Sequence, residues 1–110
     1  MRQDHNDAAL TELRELLCAV LVRDVPKLAD LRRIEQLRRC IEHQDDPGFF
    51  PIRAAVSDLD TVPDEGRREL FSEQFLKKQD EECAVYLEVA RDDLRKGASA
   101  LLHSSWLAIS

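Results

Sequence analysis

The side chains best suited to chemistry in this 110-residue chain are its three cysteines and three histidines. Only Cys40 and His43 stand close together, and on a helix this spacing would let them share a proton or a metal ion. A structural zinc site needs four ligands, usually as two such pairs, and a catalytic site needs a nucleophile, a base and a stabilising group in one pocket. The sequence contains no second Cys–His pair. This spacing alone therefore predicts neither a metal centre nor a catalytic cysteine.

The other common catalytic signatures do not occur in the sequence. It has no glycine-rich phosphate loop, no Gly-x-Ser-x-Gly and no His-Glu-x-x-His. Cys18 and Cys83 stand among apolar residues and are more simply explained as small core residues. Two of the 22 acids could form a catalytic pair, but no spacing selects them. We therefore expect no enzymatic activity, no cofactor and no bound metal.

The composition is that of a helical protein with a core. Apolar residues make up 44% of the chain and charged residues 35%, with only three glycines and four prolines. Leucine, alanine, arginine and glutamate are frequent, which favours helix, and no run of alternating β-branched residues occurs. We predict an all-α fold, a single domain over residues 1–110 built as a bundle of four to five helices.

The charge pattern argues against nucleic acid and membranes as direct partners. The net charge is −6, whereas neutralising phosphates needs a basic face. The longest wholly apolar run, residues 16–22, is far too short to cross a membrane, and the N-terminus lacks the apolar core of a signal peptide. An odd number of cysteines indicates free thiols in a reducing compartment. We expect a cytoplasmic protein.

Capping residues and apolar spacing divide the first half of the chain into helices. We predict helices over about residues 7–23, 26–43 and 51–59, after a flexible lead-in of residues 1–6. Asp24 would cap the second helix and Pro26 would lie in its first turn. Phe49 and Phe50 follow a turn and could plug the end of a bundle or form an exposed binding knob; we favour the plug.

The element that organises the chain is a long amphipathic helix predicted over residues 62–96. Thr61 and Pro63 mark its start, and Gly97 marks its stop. Its apolar face consists of Phe71, Phe75, Leu76, Cys83, Tyr86, Leu87, Ala90 and Leu94. Such a helix would be about 51 Å long, whereas a domain of this size is roughly 34 Å across. Either it breaks or kinks within the polar run 77–82, or part of its face overhangs and needs a second chain.

The final segment, residues 98–110, contains no Lys, Arg, Asp or Glu. Ser99 could cap a short apolar helix over this segment. Its large apolar residues include Leu102, Trp106, Leu107 and Ile109. Because such a segment is costly to leave in water, it must dock, either on its own chain or on another protein.

Arg32 and Arg39 share one face of the second helix, which is the only basic segment of the chain. Residues 26–43 hold five Lys and Arg against three Asp and Glu. The two arginines could form a solvated face that pairs with Glu35 and Glu42. Alternatively, they could anchor an acidic protein surface, since arginine is enriched in interface hot spots.

These features favour a non-enzymatic regulatory protein, expected to be a homodimer, that inhibits or holds a cytoplasmic protein such as a transcription regulator. In size and composition the chain resembles the small acidic helical anti-activators, secretion chaperones and phage inhibitors. The predicted partner-binding residues are Arg32, Arg39, Phe71, Phe75, Tyr86, Leu102, Trp106, Leu107 and Ile109. The alternative functions are a secretion chaperone and an acidic inhibitor that imitates DNA through Asp45, Asp46, Asp58, Asp60, Asp64 and Glu65.

Overall fold

The computed structural model describes residues 2–107, with side chains from residue 7 onward, and this part of the chain is helical without any strand. The all-α prediction is therefore confirmed. Four α-helices follow one another: α1 (Arg2–Val22), α2 (Leu28–Arg38), α3 (Phe50–Asp58) and α4 (Glu73–Leu102). Two short 3-10 helices, Pro47–Phe49 and Glu65–Leu70, precede α3 and α4.

The first two helices begin at different residues from those predicted. The backbone of α1 is already helical at Arg2, so residues 2–6 of the expected lead-in belong to the helix. The N-cap of α2 is Lys27, which makes no side-chain capping hydrogen bond. Asp24 is therefore not the cap, and the buried Pro26 precedes the helix instead of lying in its first turn. The sequence therefore predicted the position of the break between the two helices correctly, but it predicted the wrong capping residue.

The second helix also ends earlier than predicted, at Arg38 instead of near His43. The Arg38 guanidinium donates a hydrogen bond to the Gln44 carbonyl at 3.0 Å, which holds the following turns against the helix end. Ile41 is buried within these turns, so its apolar side chain reaches the core without continued helix. A tertiary contact thus replaces the helical turn that the apolar spacing predicted.

The core lies between the four α-helices: α1 and α3 each pack on α2 and on α4. Its fully buried apolar side chains include Leu13, Leu17, Leu31, Ile34, Phe49, Ile52, Leu94, Leu101 and Leu107. The bounds of α3 agree with the predicted 51–59 to within one residue at each end. Phe49 is the expected plug, whereas its neighbour Phe50 is 56% exposed. Only the first of the two phenylalanines therefore closes the bundle.

The long helix is present but displaced along the chain. It begins at Glu73 instead of residue 62, because the Ser72 hydroxyl accepts a hydrogen bond from the Phe75 backbone N–H at 3.2 Å and caps it. Its 30 residues run without a break through the polar stretch 77–82, so of the two alternatives left open by the sequence a break there is not observed. At 1.5 Å per residue α4 is about 45 Å long, which matches the longest dimension of the protein, 46 Å.

Gly97 does not end α4, and no separate C-terminal helix starts at Ser99. The helix continues to Leu102. A Cβ at Gly97 would lie 2.5 Å from the Gly48 carbonyl oxygen, and one at Gly48 would lie 2.7 Å from the Leu101 Cγ. Gly97 is therefore explained by the close approach of two backbones, not by a helix stop.

Candidate functional site

A groove of about 540 Å³ lies between α2 and the chain that connects α3 to α4. We call it the α2 groove; it is lined by Arg32, Glu35, Gln36, Arg39, Val56, Asp60, Thr61, Val62, Pro63, Asp64, Arg67 and Phe71. Three of the residues predicted to bind a partner, Arg32, Arg39 and Phe71, line this groove, although Phe71 lies far along the chain from α2. The fold thus creates one continuous surface from positions up to 39 residues apart, from Arg32 to Phe71.

Arg32 builds the wall of this groove. Its Nη2 donates hydrogen bonds to the carbonyls of Leu59, at 3.0 Å, and Val62. These carbonyls follow the end of α3, where helical acceptors have no partner within the helix. The guanidinium thereby holds the 59–62 turn against α2. Arg32 is a positioning residue for the groove as well as part of its lining.

Glu35 and Arg38 form a shielded ion pair beside the groove. Arg38 Nε donates to Glu35 Oε1 at 2.6 Å and Arg38 Nη2 donates to Oε2 at 3.1 Å. This hydrogen bonding from Arg38, together with the charges of Arg38, Arg53 and Arg39, holds the pKa of Glu35 below its ordinary value. Because Glu35 is engaged by Arg38, its contact with Arg39 is long, 3.9 Å, and the Arg39 side chain stays 71% exposed.

The rim of the groove therefore carries charges that the chain leaves largely uncompensated. Within residues 7–107, Arg67 has no ion-pair partner, and the carboxylates of Asp60 and Asp64 have none either. The floor is apolar and is formed by Val56, Val62, Pro63 and Phe71. The lining holds no cysteine or histidine. This chemistry suits binding of a mixed apolar and charged segment.

A second groove, of about 620 Å³, adjoins the first and shares five lining residues with it: Arg32, Gln36, Val62, Pro63 and Asp64. Cys83 lines it. Burial raises the pKa of the Cys83 thiol, so less of the reactive thiolate forms at neutral pH. This agrees with the interpretation of Cys83 as a packing residue, whereas Cys18 is exposed and the same interpretation of Cys18 is wrong.

Two predicted aromatic contact residues lie at the start of α4. The rings of Phe71 and Phe75 stack, with centroids 5.0 Å apart and planes at 20°. They are 36% and 37% exposed. Stacking covers one face of each ring and leaves the rest of the ring exposed to water. Partly exposed aromatic rings of this kind are frequent at binding surfaces.

Tyr86, also predicted to bind a partner, contacts its own chain. Its hydroxyl donates a hydrogen bond to Asp58 Oδ2 at 2.6 Å and so links α4 to the end of α3. Burial, the hydrogen bond and the charge of Asp58 raise the pKa of Tyr86 to about 12. The tyrosine therefore remains a neutral donor at physiological pH.

The C-terminal segment also docks on its own chain. The Trp106 ring stacks on His43 at 4.9 Å, and its Nε1 donates to Asp46 Oδ2 at 2.9 Å. Leu107 is fully buried, and its carbonyl accepts from Arg14 Nη1 at 3.0 Å. The sequence left open whether this segment docks on its own chain or on another protein, and the structure shows Trp106 and Leu107 docked on their own chain.

The outcome for the remaining C-terminal residues is divided. Leu102 is half-buried against the core and Ile109 lies outside the described residues. In this arrangement Leu107 cannot contact a partner without leaving its docked position, whereas Trp106 is only partly buried. The predicted contact surface therefore splits into an exposed part near Phe71 and a docked part near the C-terminus.

The pair that could have held a metal is separated by its contacts. The Cys40 thiol donates to the Gln36 carbonyl at 3.6 Å, whereas His43 stacks on Trp106. In the part of the chain that the structure describes, no three His, Cys, Asp or Glu side chains come together in a way that could hold a metal ion. These two residues have structural contacts instead.

The acids of the predicted DNA imitation do not form one strip. Asp46 caps the first 3-10 helix and Asp58 is the last residue of α3, and they accept hydrogen bonds from Trp106 and Tyr86, respectively. Asp60 and Asp64 line the α2 groove beside arginines. Negative charge is therefore interrupted by aromatic and basic side chains.

Sequence reasoning missed Arg67 and two exposed valines, Val85 and Val89, which are 61% and 81% exposed. The spacing of the valines, one helical turn apart and off the apolar face of α4, was a signal that could have identified them.

None of the helices in the described part of the chain is long and apolar enough to cross a bilayer. No protein family, no curated protein and no solved structure matches the chain.

Proposed function

We propose that this protein is a non-enzymatic regulator that holds a cytoplasmic protein partner in the α2 groove. The observation that carries the proposal is the convergence of Arg39 and Arg67 above an apolar floor that ends at Phe71. Arginine and aromatic side chains are enriched at the energetic centres of protein interfaces. The protein acts by steric blocking: when the partner is bound in the groove, a surface that the partner needs for dimerisation or for binding its own ligand is covered.

The lining defines the chemistry of the segment that fits. The apolar floor accepts one or two apolar side chains, and a carboxylate beside them can pair with Arg39 or Arg67. Asp60 and Asp64, which also line the groove, favour a basic residue elsewhere in the same segment. A short amphipathic helix or extended peptide with this pattern is the expected ligand.

The test compares charge-reversal variants of the groove with a matched control. Tagged wild type, Arg39→Glu and Arg67→Glu are used to capture proteins from a lysate of the source organism. Lys27→Glu is the control, because Lys27 is an exposed cation at the N-cap of α2 and lies outside both grooves. We expect wild type and the control to retain the same dominant protein and each groove variant to lose it.

The captured protein is then purified and its affinity measured by calorimetry. A groove variant should weaken binding by about tenfold or more, and moderate salt should weaken wild-type binding as the rim charges are screened. Equal affinity for wild type and both groove variants would refute the groove as the binding site. A chain truncated after Gly97 would not test the groove, because the truncation also removes the buried residues Leu101 and Leu107 from the core.

A further inference from the structure

A second interaction surface lies on the outer face of α4. Phe75, Lys78, Glu82, Val85 and Val89 follow one another at alternating spacings of three and four residues. All five are exposed. At 100° per residue their mean direction lies roughly 150° around the helix from Leu87, Leu94, Ala98 and Leu101, which face the core. We call this face the α4 seam.

The spacing of the α4 seam is that of a coiled-coil contact line, in which alternate steps of three and four keep successive side chains on one stripe. The apolar members lie at its ends and a cation and an anion lie at its centre. Among residues 7–107 no ion pair is formed by Lys78 or Glu82. The seam therefore has both apolar and charged groups without a counterpart in the chain.

We infer that the α4 seam binds a second copy of this chain, with the two α4 helices antiparallel and the two-fold axis beside residue 80. In this register Phe75 of one copy packs on Val85 of the other, and Lys78 pairs with Glu82. The two-fold symmetry generates each of these two contacts twice in the dimer. Val89 then lies beside the stacked Phe71–Phe75 pair of the other copy.

Charge selects this register over its neighbours. A parallel pair in register would place Lys78 against Lys78 and Glu82 against Glu82, which is repulsive. Sliding the antiparallel pair by one heptad would place Lys78 against Val89 and Glu82 against Val85, leaving four charges facing apolar side chains. Only the axis beside residue 80 matches apolar with apolar and cation with anion at every position.

The inference does not rest on the proposed function, because Arg39 and Arg67 lie outside the seam. The test uses the full-length chain and analytical ultracentrifugation over a range of concentrations. Wild type should show a monomer–dimer equilibrium. Lys78→Glu and Glu82→Lys should each weaken dimerisation by at least about tenfold, because symmetry turns two attractive pairs into two repulsive ones.

Two combinations sharpen the test. An equal mixture of Lys78→Glu and Glu82→Lys chains should form a heterodimer, in which both ion pairs are restored. The double variant Lys78→Glu/Glu82→Lys should dimerise like wild type, because the antiparallel pairs are merely reversed. Failure of the double variant to dimerise while the mixture does would overturn the antiparallel register.

Matched controls separate the seam from general charge effects. Lys96→Glu changes an exposed lysine on the same side of α4 beyond the paired stretch, and Glu88→Lys changes an exposed acid beside the seam. Both should dimerise like wild type. A wild type that remains monomeric at all concentrations, or single seam variants that dimerise as well as wild type, would refute the inference.

Discussion

The two halves of α4 have the same helical geometry but opposite surroundings. From Leu87 to Leu102 the helix is packed by α1, α3 and the first 3-10 helix, and all of its buried residues lie in this half. From Glu73 to Tyr86 no residue is buried, and the neighbouring contacts come mainly from the 58–71 chain. The comparison shows that an amphipathic stripe becomes core only where other elements reach it.

Polar contacts reinforce the difference. In the second half, Arg95 Nη2 donates to the Arg23 carbonyl at 2.7 Å and Arg91 Nη1 donates to the Asp24 carbonyl at 3.3 Å. These bonds cover the carbonyls that follow α1. In the first half, Arg68 pairs with Asp80 at 2.7 Å on the surface, where such pairs contribute little to stability. The second half stabilises the fold, and the first half is available for binding.

The largest expected contrast compares one buried and one exposed aliphatic residue of α4. Leu94→Ala should reduce the free energy of unfolding by about 3 kcal/mol, because it empties a fully buried position. Val85→Ala, in the first half, should change it by less than about 0.5 kcal/mol, since Val85 is 61% exposed. Chemical denaturation of dilute protein, below the concentration of self-association, measures both. Similar losses in the two variants would mean that the halves are not distinct.

A smaller effect is expected at the close contact between α4 and the Gly48 turn. Gly97→Ala should destabilise by about 1–2 kcal/mol, because the new Cβ meets a backbone oxygen that cannot move freely, which outweighs the higher helix propensity of alanine. Gly66→Ala is the control, since a Cβ there meets only Asp64 Oδ1 at 3.9 Å. Thermal unfolding compares them. A stabilised Gly97→Ala protein would contradict the close approach.

The smallest effect concerns Tyr86, which lies at the junction of the two halves and is the only tyrosine of the chain. Ultraviolet absorbance titration should give a midpoint near pH 12 instead of 10. Asp58→Asn should lower this midpoint, though not fully to 10, because burial is the largest cause of the shift. Asp60→Asn, which changes a nearby carboxylate without a hydrogen bond to Tyr86, should leave it unchanged.

The sign of the stability effect follows from the direction of the shift. Folding favours the protonated phenol, so the contribution of Tyr86 to stability is complete below pH 10 and is lost as the pH rises from 10 to about 12. Circular dichroism recorded during the titration shows whether the chain is still folded. A native chain that titrates at pH 10 would refute the hydrogen bond to Asp58.

Local signals in the sequence predicted most of the fold. The turn at residues 46–48 and the short helix after it were located to within one residue, because the Asp46 side chain, Pro47 and the apolar spacing act over only a few residues. Of the candidate site, Arg32, Arg39 and Phe71 were identified by residue type. Their meeting in one groove was not predicted, because it depends on the path of the chain between α3 and α4.

What the sequence by itself determined is the all-α class, the break before α2, the presence of one long amphipathic helix and the choice of candidate contact residues. Only the tertiary structure decided how these residues are used. Gly97 allows two backbone segments to approach closely, and Arg32 donates hydrogen bonds to carbonyls 27 and 30 residues away. Trp106 donates its hydrogen bond to Asp46 of the same chain. The physical reason is that helix propensity and periodicity act over a few residues, whereas steric contact, hydrogen-bond partnership and burial depend on segments that are distant in the chain.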